Sequence, residues 1–198
     1  MTSESGGQIH DPRVLRAIAH PVRNRILTEL GATGPMRAAD LARVLDVPAN
    51  QASFHLRQLA KYGLIEEAPE EARDQRDRVW RASRESFSVS VGDIEAQPGG
   101  RAAARVFMRQ AASAAHQLVD AAYADDRAPG QHRATMETAV RFTKEEAQAF
   151  SEELGQLLHQ WSERHRGRDD GRLTYVVHAM VLPHPDLAHR PATADEDA

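Results

Sequence analysis

The sequence predicts a mainly α chain with a small β component, and three observations predict it. First, apolar residues recur at helical spacing through two short stretches, 38–45 and 49–62, which meet at Asp46-Val47-Pro48 and close on Gly63. Second, two short runs of strand-forming residues follow, 64–68 and 78–83, separated by a charged loop. Third, beyond Gln97-Pro98-Gly99-Gly100, two helical stretches alternate with two stretches of extended character. Together these describe an N-terminal winged helix-turn-helix followed by a helix–strand–helix–strand module.

Residues 1–9 are polar and small, with Gly6-Gly7, and read as a disordered N-terminus. Asp11-Pro12 then starts a helix as N-cap and first helical residue, carrying Val14, Leu15 and Ile18. His20-Pro21 breaks it, and Pro21 opens a second helix to about Leu30 with Val22, Ile26, Leu27 and Leu30 inward. After a loop at 31–35, the helix at 38–45 presents Leu41, Ala42, Val44 and Leu45. Pro48 has no N–H to donate and biases Val47 away from helix, so the chain turns there. The helix at 49–62 turns Ala52, His55 or Leu56, and Leu59 inward, and Gly63 caps it in the left-handed conformation. The wing follows: strands at 64–68 and 78–83 around a long charged tip, 69–77, expected to be mobile because it lacks a tight-turn dipeptide. Phe87, Val89 and Val91 continue an extended segment, and 97–100 marks the clearest boundary.

The second half opens with an alanine-rich helix at 101–123, whose small residues permit close helix–helix approach. Residues 135–142 alternate, with Met136, Val140 and Phe142 opposite Glu137 and Arg141, as in a half-buried strand. Thr143-Lys144-Glu145-Glu146 is a capping box that starts a helix running to about His165. Residues 173–182 are apolar on both faces and predict a strand covered on both sides. The expected organisation is thus a disordered stretch at 1–9, a DNA-binding domain at 10–96, a dimerisation or effector module at 101–182, and a flexible acidic tail at 183–198.

The helix at 49–62 is the expected DNA reader. Asn50 and Gln51 occupy its first turn, where side-chain amides pair with adenine through two hydrogen bonds. Ser53 reaches a base or a phosphate, Phe54 meets a thymine methyl or packs at the groove edge, and Arg57 and Lys61 suit phosphates. In the wing tip, Arg73 and Arg76 are candidates for phosphate or minor-groove contact, although Glu70, Glu71, Asp74 and Asp77 lie among them. Arg78 and Arg81 read as strand residues paired with neighbours. His20 and His55 read as structural histidines.

One set of residues carries a resemblance: His20-Pro21-Val22-Arg23 with Ile26-Leu27, then Leu41-Ala42, then Ser53-Phe54-His55-Leu56 with Leu59, Gly63, Leu64 and Ile65, and last Arg78-Val79-Trp80-Arg81-Ala82. This pattern resembles the bacterial ArsR-type winged helix-turn-helix repressors over about residues 10–90. Nothing in it covers 100–198. The resemblance implies a transcriptional repressor, cytoplasmic and homodimeric, binding double-stranded DNA at a near-palindromic operator, with terminal helices making the dimer. The 101–123 helix is the expected interface, joined by Val14, Leu15 and Ile18. Phe54 stands where many members carry a polar residue or histidine. Metal sensing is also known in such proteins, but the thiolate version is excluded because the chain has no cysteine. Among its histidines, His116 and Asp120 share a helix face at i, i+4 and are the pair spaced for two ligands.

The totals narrow the remaining classes. No apolar run approaches the ~20 residues of a membrane span, and no export signal is visible, so no membrane partner is expected. Net charge is −4, but residues 1–90 carry 13 Lys+Arg against 12 Asp+Glu, so DNA affinity must come from local clustering rather than bulk charge. No nucleophile elbow, phosphate loop or zinc-protease motif is present, so an enzyme is not expected, and no cofactor is implied. The second half exceeds what DNA binding needs. An apolar pocket lined by Phe142, Phe150, Trp161 and Tyr175 is the expected place for a small-molecule effector. The alternatives are a histidine-based metal sensor of the same fold and a protein-interaction winged helix without DNA binding.

Overall fold

The computed structural model describes residues 6–72, 78–83, 86–125, 128–167 and 171–186. In chain order the elements are β1 (Gly6–Ile9), α1 (Pro12–Ile18), α2 (Pro21–Thr33), β2 (Met36–Arg37), α3 (Ala38–Val44), α4 (Ala49–Lys61), β3 (Ile65–Glu67), β4 (Val79–Ala82), β5 (Ser86–Val89), α5 (Val91–Glu95), α6 (Gly100–Tyr123) and α7 (Lys144–His165). A single 3-10 turn, Pro69–Glu71, follows β3. Among the described residues no helix is long and apolar enough to cross a membrane.

Local chemistry sets the helix ends. The Asp11 carboxylate accepts from the Arg13 amide at 2.7 Å and caps α1, with Pro12 in the first turn. His20 is extended (φ −75°, ψ 125°), as a residue before proline must be, and this separates α1 from α2. Between α3 and α4, Asp46 takes a left-handed φ of 52°, a conformation that short polar side chains tolerate, and the Val47 amide donates to the Ala42 carbonyl at 3.0 Å. Gly63 has φ 65°; its amide donates to Ala60 and that of Leu64 to Leu59 (2.9 and 3.1 Å), a Schellman closure of α4.

The sheet order is β2-β4-β3, antiparallel throughout, with Met36 opposite Trp80 and Ile65 opposite Ala82. Beneath it lies one core: Leu15 and Ile18 of α1, Ile26 and Leu30 of α2, Leu41 of α3, Leu56 and Leu59 of α4, with Leu64, Ile65 and Trp80. A side chain such as Leu56, with no exposed surface, contributes roughly 2–3 kcal/mol by leaving water. That core holds α4 rigidly by one face and leaves the other outward.

Several expectations are corrected. The 1–9 segment is not wholly disordered: Gly6–Ile9 pairs in parallel with Ser86–Val89, and Ile9 is buried. Its partner lies some eighty positions away, so no local pattern announces the strand. The extended segment expected through Val91 ends at Val89, and a short helix, α5, follows. The turn at 97–100 exists, and the first turn of the helix after it packs on the N-terminal core. Gly100, Ala103 and Ala104 of α6 are buried, the two alanines in the same core as Leu15 and Ile94. Gln97 Nε2 donates to the His10 carbonyl at 2.7 Å, and Arg16 Nη2 to the Gly99 carbonyl at 3.2 Å. Leu15 and Ile18, expected at a dimer surface, are core residues, and Val14 packs against that core.

The C-terminal module contains its two helices, but among the described residues 135–142 and 173–182 form no strand. Both are unpaired among the described residues. Alternation reports which side chains seek cover; it does not supply the neighbouring backbone that makes a strand. The capping box of α7 is present, with the Thr143 hydroxyl accepting from the Glu146 amide at 3.1 Å and the Glu146 carboxylate from the Thr143 amide at 2.7 Å. Past the helix, Arg166 Nε donates to the Gly31 carbonyl at 3.2 Å and Thr174 Oγ1 to Glu29 at 3.2 Å, tying this part to α2.

Candidate nucleic-acid interface

The helix α4 is two-faced. Ala52, His55, Leu56 and Leu59 are buried, so both alternatives for the inward position, His55 and Leu56, are inside. Asn50, Phe54, Arg57 and Lys61 recur at four, three and four residues and form one exposed stripe, with exposed Gln51 and half-buried Ser53 on either side. Thirteen residues give the helix a length of about 20 Å, enough to lie along a major groove. It carries no acidic residue, and among the described residues neither Arg57 nor Lys61 has an ion-pair partner. The Asn50 side-chain oxygen accepts from the Gln51 amide at 2.9 Å, which orients the Asn50 amide in the first turn. Phe54 is 52% exposed and sets its ring edge-on to His55, with centroids 5.4 Å apart.

Behind this face lies a polar cluster that sequence reasoning named only as structural histidines. His55 is 5% exposed, and its ring meets that of His20 at 4.5 Å. Among the described residues Nδ1 of either ring has no hydrogen-bond partner. Burial lowers the pKa of both imidazoles, and the Arg23 charge lowers them further; at His55 the facing His20 contributes as well. The two rings are therefore held neutral where the recognition helix meets α2.

The wing differs from the helix. Arg78 and Arg81 of the β4 edge are paired, Arg78 with Glu67 at 3.7 Å and Arg81 with Glu66 at 2.8 Å and with Glu70. The hydrogen bond that Arg81 donates to Glu66, then the charge of Glu70, raise the pKa of Arg81. These arginines are neutralised by their neighbours. Arg73 and Arg76 lie outside the described residues, as does the rest of the expected mobile tip at 73–77.

A basic pair on the leading helix was missed. Arg37 grips Asp40 with two hydrogen bonds of 2.6 and 3.1 Å, and Arg43 reaches the same carboxylate. The Arg37 hydrogen bond is the main reason the Asp40 carboxyl titrates below its ordinary range. Two arginines, Arg37 capping α3 and Arg43 within it, share one carboxylate, so the cluster at the start of α3 carries net positive charge. The i, i+3 spacing of Arg37, Asp40 and Arg43 was the available signal. Arg25 Nη2 donates to the Leu45 carbonyl at 3.0 Å and fixes α2 against the turn that aims α4.

The remaining expected site residues lie in the second half. Phe142 and Phe150 meet at 5.4 Å, whereas Trp161 stacks on His165 at 5.3 Å, and the Tyr175 hydroxyl accepts from the His132 amide at 3.1 Å. All four aromatic residues are at least 39% exposed, so one copy does not enclose a ligand among them. Two open depressions lie elsewhere. One, of about 560 Å³, is at the start of α6 between Glu95 and Arg105; the other, of about 180 Å³, is between Leu30, Pro35 and Arg166. His116 Nδ1 lies 2.8 Å from the Ala112 carbonyl. Among the described residues no three His, Asp or Glu side chains gather to hold a metal ion.

Residues 18–68 match the model of a helix-turn-helix domain. This stretch spans α2 to β3, and with the β2-β4-β3 sheet it makes the N-terminal part a winged helix. No curated protein is significantly similar to the chain. Among solved structures, MarR of E. coli in a mutant form aligns at 14% identity and a TM-score of 0.33, over 73% of this chain and 85% of that one. A zinc-responsive MarR family member from Lactococcus lactis, ZitR, aligns at 16% identity and 0.31, over 71% and 75%. A probable transcriptional regulator from Pseudomonas aeruginosa aligns at 19% and 0.33, over 73% and 88%. Superpositions this loose do not define a fold common to the whole chains.

Proposed function

We propose that the protein is a DNA-binding transcriptional regulator, a homodimeric repressor resembling the ArsR type that binds a near-palindromic operator through α4 and the wing. The observation that carries this is the stripe of Asn50, Phe54, Arg57 and Lys61 on the second helix of a helix-turn-helix: exposed, free of acidic residues, and backed by a packed core. Amides in the first turn read base edges while the cations further along position the helix on phosphates. One such helix spans too few base pairs to select a site, and a two-fold pair one DNA turn apart is selective. Residues 10–96 act as the reading domain and 101–182 as the dimerisation and effector module, in the cytoplasm of a bacterium. Arg73 and Arg76 add phosphate contacts from the wing tip. Phe142, Phe150, Trp161 and Tyr175 line the effector site once a second copy supplies the missing cover.

The test is binding of the purified protein to its own upstream DNA against a scrambled duplex at two salt concentrations. Selective binding that weakens with salt supports the reading; equal, weak binding to both duplexes at concentrations where the dimer is present counts against it. A second reading, a winged helix that docks another protein, is favoured by one feature. Phe54 places a half-exposed aromatic ring in the middle of the reading stripe while the described wing arginines are already neutralised. Loss of a protein partner on Phe54→Ser with no change in DNA association would favour it.

A further inference from the structure

Beyond Ala104 the described chain contains no buried hydrophobic residue, although it carries two long helices and two apolar extended segments. Leu173, Tyr175, Val177, Met180 and Leu182 are each more than half exposed, and so is Met136 in the earlier segment. Among the described residues no backbone–backbone hydrogen bond involves 134–142 or 173–182. Open backbone and apolar side chains thus lie in the same two segments, a combination that folded chains cover.

We propose that residues 134–142 and 173–182 are strands of a single sheet shared between two copies of the chain, each pairing with strands of the second copy, so that the sheet and its core exist only in the dimer. This rests on the homodimer reading above and assigns its interface. A second copy fits better than another partner for three reasons. An open strand is covered by another strand; one copy supplies two, fewer than the three an independently stable sheet needs, and two copies supply four of matched length. The helices are self-complementary in charge. The α7 helix carries Lys144, Glu145, Glu146, Glu152 and Glu153 in its first half, net acidic, and Arg164 and His165 beside Glu163 at its end, while α6 begins with Arg101, Arg105 and Arg109 and carries Asp120 near its end. A two-fold axis crossing either helix sets it antiparallel to its twin, acid against base. The segments also differ as members of one sheet should. Residues 173–182 are apolar on both faces and suit a covered central position, while Glu137 and Arg141 give 134–142 one wet face.

The experiment combines light scattering on the full chain with hydrogen exchange, for the wild type, Val177→Pro and Val181→Lys. Val177 is 66% exposed and among the described residues its backbone has no hydrogen-bond partner, so proline there leaves the single copy's fold intact. The expected result is a wild-type dimer in which amides of 173–182 exchange about a hundredfold more slowly than in Val177→Pro. Val177→Pro should be monomeric with unchanged protection at Leu56 and Leu59, and Val181→Lys should weaken the dimer by about tenfold or more in Kd. A dimer with fast exchange at 173–182, indifferent to Val177→Pro, overturns the shared sheet and leaves the homodimer reading standing. A monomer with fast exchange in both segments overturns both. A monomer with slow exchange overturns the shared sheet by showing that the strands pair within one chain.

Discussion

The His20–His55 pair makes stability depend on pH in a window where most other groups are silent. In the unfolded chain both imidazoles take up a proton near their ordinary value of 6.5; in the folded chain burial and Arg23 hold both below it. The unfolded state therefore binds more protons below pH 6.5, and stability falls as pH falls. It is fully present above 6.5 and is lost as pH descends from there through the folded-state values. The slope for one ring is at most about 1.4 kcal/mol per pH unit, reached only where the unfolded ring is charged and the folded ring is not. Asp40, also lowered, acts elsewhere: its contribution is present above its unfolded value of 3.8 and is lost only as pH falls below that. The assay is urea unfolding followed by circular dichroism at about pH 7.5 and about pH 5.5 for the wild type and for a His20→Asn, His55→Leu double variant. The wild type should lose stability on acidification and the variant should lose much less. Equal stability of the wild type at the two pH values, or an equal loss in the variant, would refute the assignment.

Three further outcomes follow from the packing and from the reading face. Leu56→Ala removes a side chain with no exposed surface from under the recognition helix and should cost about 2–5 kcal/mol in the same unfolding assay. Gly100→Ala would place a Cβ 1.7 Å from the Ile94 carbonyl oxygen, a backbone atom that cannot swing aside, so α5 and α6 must part; a loss of at least about 2 kcal/mol is expected in thermal or urea unfolding. Arg57→Ala should weaken binding to all DNA sequences alike and reduce the slope of log affinity against log salt by about one, read from titrations at several salt concentrations; an unchanged slope would remove Arg57 from the phosphate contacts.

The winged helix was legible because its signals are local. Asp11-Pro12, His20-Pro21, Pro48 and Gly63 each act within a residue or two of themselves, and the apolar stripe of α4 repeats within one helix. The outward residues Asn50, Phe54, Arg57 and Lys61 could be read off the same periodicity. What was not legible depends on partners far along the chain. Gly6-Gly7 reads as a loose end until Ser86–Val89 lies beside it. Gln97-Pro98-Gly99-Gly100 has the composition of a linker, and only the burial of Ala103 and Ala104 shows that the start of the following helix packs against the core before it. The alternation in 135–142 and the apolar faces of 173–182 state a need for cover, and nothing in those residues says where the neighbouring strand comes from. The Arg37–Asp40–Arg43 cluster carries its signal in its i, i+3 spacing.

The burial of the first turns of α6 has a mechanical consequence. A helix of 24 residues is about 36 Å long, and this one is clamped at one end in the same core that backs the recognition helix. It is a lever with its fulcrum inside the reading domain. A tilt of about 5° at that fulcrum moves the far end by about 3 Å, and the relation runs both ways. In the proposed dimer, fixing the far ends of two such levers against each other would also fix the spacing and angle of the two α4 helices, so that a change in the second half would reach α4 through this helix.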